Sequence, residues 1–312
     1  MKVAFAGTPD FAATVLRGLI SSPYEVGLVI SQPDPSKGRG RKTTPTPVAE
    51  LARSTGLPLR QPERISEAAA EISTLDALVV AAYGQILRPD TLYAAREGAW
   101  NVHASLLPKY RGAAPVERAI MDGERETGVT IMRMDEGLDT GEIALQRAVE
   151  IPPDMTGGEL TQRLALVGAE AIVEGLNLLE TGSLTLTGQD NFYATYASKM
   201  SDEDKTIGWW RSAREVHDQI RALAPHIGAR AYHPDFEGPI KVWRSGVFEE
   251  TGPSSETGHI HVENWRIVVG CGSGSVEVLK LQIPGSKRLQ ARDFLLGNPL
   301  EGAFVTHDRP GA

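Results

Sequence analysis

Apolar positions along the chain follow two rhythms. Lys2-Val-Ala-Phe-Ala6 is a short apolar run that ends in Gly7-Thr-Pro-Asp10. Phe11, Val15, Leu16 and Leu19 then recur at helical spacing, and Glu25 to Ser31 is apolar again. Strand, helix and strand in that order predict a βαβ unit and a parallel sheet. Asp76 to Tyr83 is almost continuously apolar, as a strand covered on both faces should be. Further strands are expected at Gly98–His103, Gly128–Met134 and Ile143–Ile151, and a short one at Pro58–Gln61. Helices are expected over Val48–Ser54, Ser66–Ser73 and about Pro115–Met121, with a long amphipathic one from the N-cap Thr156 to Glu180.

After residue 208 the rhythm changes. A helix over Ala213–Ala222 is followed by short strands at Ala229–Tyr232, Ile240–Ser245, Gly258–Val262, Ile267–Gly270 and Ser275–Gln282. Strands this short, separated by turns, predict a small β-barrel. The expected organisation is a Rossmann-like, mostly parallel α/β domain over 1–189, a polar linker over 190–208 and the barrel over 209–312.

Composition narrows the class. A chain of 312 residues with 41% apolar and 23% charged side chains fits a soluble protein of two domains. Its net charge of -8 excludes nucleic-acid binding by bulk charge. Residues 209–312 hold 12 Lys and Arg against 12 Asp and Glu, so the acidic excess belongs to the first part. One cysteine, Cys271, excludes a disulfide framework. The opening apolar run is too short for a secretory signal, and the longest apolar run, Ala77–Tyr83, is far below spanning length. A cytoplasmic protein without membrane attachment is the expectation.

The chemistry concentrates in Asn101-Val-His-Ala-Ser-Leu-Leu-Pro-Lys-Tyr-Arg-Gly112. Asn101 and His103 share one face of a strand end, and Pro108 and Gly112 open a loop behind them. An imidazole passes protons near neutrality, and an amide can donate to an oxygen that becomes negative. Asp139, within the glycine-bounded loop 135–141, supplies a carboxylate to orient the imidazole. No serine or cysteine occupies a nucleophile elbow, so the set fits direct transfer between two bound substrates. The bland alternative is a core histidine at a strand end. Only Gly7 stands where a dinucleotide fingerprint needs three glycines, so no dinucleotide is expected. The polar stretch Pro33–Pro47 carries Lys37, Arg39, Arg41 and Lys42, with Gly38 and Gly40 favouring mobility. It reads either as a solvated linker or as an arm for phosphate.

Four other features have plain readings beside the sharper ones. Gly270-Cys-Gly-Ser-Gly274 is a hairpin turn before it is a phosphate loop. His259 and His261 lie on a surface strand with no third ligand at fitting spacing, so no metal is expected. Trp209-Trp210 packs a domain junction or offers a stacking platform. Lys241, Arg244, Lys280, Lys287, Arg288 and Arg292 form one basic face or a solvated set.

Asn101 to Pro115 and Gly128 to Glu142 resemble the two signatures of folate-dependent formyltransferases. Phe5 to Ala12, Gln32-Pro-Asp34 with Gly38-Arg-Gly-Arg-Lys42, Lys241-Val-Trp243 and Pro284 to Leu295 resemble the members that act on initiator tRNA. The resemblance covers essentially the full chain, and departs from the pattern at Gly208 and in Ala224–Ala229. It implies a formyltransferase domain followed by an OB-like barrel that binds tRNA. The implied reaction moves the formyl group of 10-formyltetrahydrofolate, without a metal, to the α-amine of methionyl initiator tRNA. Asn101, His103 and Asp139 match the catalytic trio of that family. Ser105, Leu106, Leu107 and Pro108 match its folate-contacting turn, with Gln85, Ile86 and Leu87 bordering the pterin. Arg39, within the Lys37, Arg39, Arg41 and Lys42 cluster, matches its tRNA-contacting loop, and a monomer is implied. Three rivals stay open: a formyltransferase acting on a sugar nucleotide or purine precursor, a formyltetrahydrofolate hydrolase, and a non-enzymatic RNA-binding module.

Overall fold

The computed structural model describes residues 1–37, 42–251 and 256–306. The chain divides into two compact units, Met1–Pro115 with Glu126–Glu150 and Thr161–Ala197, and Val116–Arg125 with Ile151–Leu160 and the chain from Ser198 onward.

The first unit is built on seven strands. Their order across the sheet is Ile143–Glu150, Glu126–Arg133, Ala99–His103, Ala77–Ala81, Lys2–Gly7, Glu25–Ile30 and Leu59–Arg60. Five neighbouring strands pair in parallel, and Glu126–Arg133 alone runs the other way, antiparallel to both Ala99–His103 and Ile143–Glu150. All five residues of Ala77–Ala81 are buried, which explains the unbroken apolar run there. On one face Ala4, Ala6, Leu28, Ile30, Leu78 and Val80 pack with Ile65 and Ile72. On the other, the helix through Gly168 reaches Val102 and Val129. Gly7 ends the first strand where a β-carbon would stand 2.6 Å from the Ala12 β-carbon and 2.9 Å from the Ala81 carbonyl oxygen. The turn there needs a missing side chain for close approach, not for a phosphate.

The long helix Gly157–Glu180 starts where its cap predicts. The Thr156 hydroxyl accepts from the Glu159 amide at 3.3 Å, and the Glu159 carboxylate accepts from the Thr156 amide at 2.8 Å. Such a reciprocal cap contributes about 1 kcal/mol. Ser212 and Glu215 repeat the device at the helix Ala213–Ala222.

The second unit holds an antiparallel sheet. Ala229–Ala231, Ile240–Glu249, Ser275–Gln282, Arg266–Gly270 and Ile260–Glu263 lie in that order, and Leu289–Gln290 pairs with Ser275–Gln282. Its core gathers Ile207, Trp209, Val216, Ile220, Val242, Val276, Phe294 and Phe304. Trp209 is 1% exposed and stacks on Phe304 at 5.2 Å, so it serves as core and not as a platform. Gly270–Gly274 is the hairpin turn between two paired strands, and Cys271 inside it is buried, which pushes its thiol up to about 12.

One buried group in this unit makes folding pH-dependent. His217 is 2% exposed; its Nδ1 meets the Ser245 hydroxyl at 3.1 Å and its Nε2 the Pro153 carbonyl at 3.3 Å. Burial lowers its pKa from 6.5, outweighing Asp218 and Asp154, and Arg221 acts in the same direction as burial. The unfolded chain then binds a proton that the folded chain resists, so stability rises with pH across the window below 6.5. Unfolding free energy is expected to fall as pH drops through 6.5, by up to about 1.4 kcal/mol per pH unit. His217→Gln should flatten that slope in denaturant melts from pH 5 to 8; an unchanged slope would assign it elsewhere.

Candidate active site

The strand Ala99–His103 lies between Ala77–Ala81 and Glu126–Arg133, with Asn101 opposite Val80 and Met132, and His103 opposite Thr130. Pairing on both sides of Asn101 and on one side of His103 fixes the two at the carboxyl ends of the parallel strands, where open α/β sheets bind ligands. His103 is 6% exposed and Asn101 is half-buried.

Asp139 joins them from the loop between the antiparallel strands, at φ 52°, a left-handed conformation that aspartate and asparagine tolerate. Its Oδ2 accepts from the Gly112 amide at 2.8 Å, and its Oδ1 from Asn101 Nδ2 at 3.4 Å. His103 Nδ1 stands 3.8 Å from Oδ2, beyond hydrogen-bond length. The imidazole is held instead at its other nitrogen, Nε2, 2.9 Å from the Tyr110 carbonyl. A carbonyl can only accept, so Nε2 carries a proton, and in the neutral imidazole the lone pair is at Nδ1. The three residues singled out in the sequence therefore meet. The tautomer is set by a backbone oxygen that no sequence pattern announced.

The turn behind them is braced from a distance. The Thr130 hydroxyl donates to the Ser105 carbonyl at 2.7 Å and accepts from the Leu107 amide at 3.1 Å. Gln146 Nε2 donates to the Leu107 carbonyl at 2.8 Å. Ser105 and Leu107 are buried, so of the four turn residues it is Leu106 and Pro108, both half-buried, that a ligand can reach by side chain. The Ser105 hydroxyl is already committed to the Lys109 carbonyl. Arg111, 2% exposed, donates to the Gln189 Oε1 at 2.7 Å and the Asn191 Oδ1 at 2.9 Å. Gln189 in turn donates to the carbonyls of Asp139 and Gly141. Gly112 lets Tyr196–Ala197 pair with Arg111–Gly112, since a β-carbon there would meet the Ala197 oxygen at 2.8 Å.

Gln85 is committed to the backbone: it accepts from the Ile65 amide and donates to the Glu63 carbonyl. Leu87 is buried, whereas Ile86 is 89% exposed beside a cavity of about 390 Å³ lined also by Arg64, Ser66 and Arg88. The cavity thus combines an exposed apolar side chain with two arginines in its lining.

The basic stretch departs from the expectation of an irregular loop. Ser36–Lys37 pairs antiparallel with Lys42–Thr43, and Arg39 and Arg41 lie outside the described residues. Its base is clamped by Asp34, which accepts from Gln61 at 2.6 Å, Arg53 at 3.0 Å and the Thr46 amide at 3.2 Å. Partial burial works to raise the Asp34 carboxyl, but these three donors outweigh it and hold it below the usual range. Among the described residues no three His, Cys, Asp or Glu are grouped to hold a metal ion, and no helix is long and apolar enough to cross a membrane.

Of the expected basic face, Lys241 and Arg288 gather at Trp243, with Arg288 stacked 3.4 Å from the ring centroid. Arg244 lies opposite Lys280 in the adjoining strand pair.

An amide, an imidazole and a loop carboxylate thus meet at the carboxyl end of a mostly parallel sheet, where open α/β sheets bind ligands. The chain belongs to the formyl transferase family: residues 1–176 match the formyl transferase model and 199–299 match that of the formyl transferase C-terminal domain. It is 67% identical to the methionyl-tRNA formyltransferase of Rubrobacter xylanophilus, over 97% of this chain and 99% of that one. It is 44% identical to the methionyl-tRNA formyltransferase of Pelotomaculum thermopropionicum, over 98% of each. The N-formyltransferase of Helicobacter canadensis, solved with folinic acid and dTDP-3-aminofucose, shares the fold. That likeness has a TM-score of 0.66 at 19% identity, covering 89% of this chain and 98% of that one.

Proposed function

We propose that this protein transfers the formyl group of 10-formyltetrahydrofolate to the α-amine of methionine esterified to initiator tRNA. The observation that carries this reading is the 67% identity to a methionyl-tRNA formyltransferase across both units, not the catalytic half alone. The folate supplies the formyl carbon. The Ile86 side chain with Arg64 and Arg88 suits its ring and carboxylates, and we assign the turn at Leu106 and Pro108 to the same ligand.

The chain's own residues divide the remaining work. Asn101 donates its amide N–H to the formyl oxygen as that oxygen becomes negative. His103 accepts the proton that the attacking amine loses, at Nδ1, because Nε2–H is held by Tyr110. That proton then passes to the leaving nitrogen. Asp139, 3.8 Å from Nδ1, stabilises the imidazolium between the two events. We place the reaction in the cytoplasm, with the protein acting as a monomer.

One assay separates this reading from its rivals: formyl transfer to methionyl initiator tRNA, to uncharged tRNA, to an amino-sugar nucleotide and to water. Transfer confined to the first supports the proposal, and transfer to the sugar or to water overturns it. Arg39→Ala and Arg41→Ala are expected to raise the KM for methionyl-tRNA. Each should lower the salt-dependence slope by about one, with folate affinity unchanged. Equal loss of both substrates would give the loop a folding role.

A further inference from the structure

Three large aromatic side chains stand in solvent on the segment that braces the catalytic loops. Phe192 is 85% exposed, Tyr193 62% and Tyr196 67%. Phe192 and Tyr193 meet edge to face, with centroids 5.1 Å apart and planes at 89°. Water-exposed rings on a rigid support are unfavourable for folding alone and suit a ligand with a flat apolar face.

The support is rigid and tied to the chemistry. Asp190 caps the short turn Asn191–Tyr193 by accepting from the Phe192 amide at 2.9 Å. Arg111 holds Asn191 just before the pair, and Gln189 holds the Asp139 backbone three residues before Phe192. Beyond the pair, the Thr195 hydroxyl accepts from the Tyr110 amide at 2.8 Å, next to the carbonyl that fixes His103. Tyr196 pairs directly with Arg111. The aromatic segment is thus bonded to residues adjoining His103 and Asp139 at both of its ends.

We propose that Phe192, Tyr193 and Tyr196 form a stacking surface for the unpaired bases at the aminoacylated 3′ end of the RNA acceptor. This deepens the reading above and rests on it. If the reacting amine is to reach Asn101 and His103, the last nucleotides of the acceptor must pass close to the catalytic loops. The chain carries a net charge of -8, so phosphate attraction by the body as a whole is weak. Base faces are uncharged, and every base has one, so stacking grips the end without reading its sequence.

The test compares Phe192→Ser/Tyr193→Ser with wild type on methionyl-tRNA and on methionine methyl ester, which has no base. The double variant is expected to raise the KM for methionyl-tRNA by about tenfold or more, with kcat nearly unchanged. Activity on the methyl ester should stay at the wild-type level, and the aromatic substitution Phe192→Trp alone should leave the KM for methionyl-tRNA near wild type. A 2-aminopurine placed at the 3′ terminus of the RNA should be quenched on binding wild type and not the double variant. Equal loss on both acceptors would make the segment a structural brace and overturn the proposal. So would an unchanged KM for the RNA, or sedimentation showing a dimer that only the double variant dissolves. If wild type itself transfers nothing to methionyl-tRNA, the parent reading fails, whereas wild-type transfer with an unaffected double variant removes the stacking surface alone.

Discussion

Replacing Asn101 by alanine is expected to lower kcat by about 10²–10³, the cost of removing one oxyanion donor, about 2.7–4 kcal/mol of transition-state stabilisation. The residue is held by strand pairing on both sides, so its amide is in position before substrate arrives. Its N–H to Asp139 is long, at 3.4 Å, and an oxygen gaining negative charge is a strong competing acceptor. The loss should fall on kcat with KM nearly constant, because the bond strengthens only as charge develops. Asn101 is half-buried, so its truncation leaves little void, and a thermal melt near wild type would show that folding survives. Wild-type turnover in Asn101→Ala would remove the amide from the mechanism.

Asp139→Asn is expected to lower kcat by about 10²–10⁴, the range that general acid–base assistance supplies. The substitution is nearly isosteric. Asparagine tolerates the left-handed backbone at φ 52°, and its carbonyl oxygen can still accept from the Gly112 amide. The negative charge facing His103 Nδ1 is what disappears, and with it the stabilisation of the imidazolium. Single-turnover formyl transfer with both substrates saturating measures that step. Activity within threefold of wild type would confine Asp139 to holding the loop.

Much of this site was legible in the chain because its members sit in local patterns. Asn101 and His103 alternate along a strand, and Asp139 lies between glycines in a short loop. The residues that set the geometry leave no such trace. Thr130, Gln146 and Gln189 act on segments 16 to 78 positions away. Gln189 sits at the edge of the domain, against a stretch whose composition reads as a polar linker. The Tyr110 carbonyl is backbone, invisible to side-chain reasoning altogether. The ribbon Ser36–Lys37 with Lys42–Thr43 and the strand Leu289–Gln290 are two residues long per strand, too short to show a period. By contrast Ala213–Ala222 and Ser275–Gln282 fall where their spacing places them, since each has enough residues to repeat a pattern.

The second unit draws on three separated stretches of chain, and this bears on how such proteins can be recombined. Arg118 pairs with Asp204, Arg221 donates to the Met155 carbonyl, and the Gly158 amide donates to Ala224. Met121 packs against the core that Trp209 and Phe304 share. A chimera made by one crossover near residue 198 would therefore carry foreign partners at every one of these contacts. Exchanging the second unit of this chain has to transplant 116–125 and 151–160 together with the carboxy-terminal stretch.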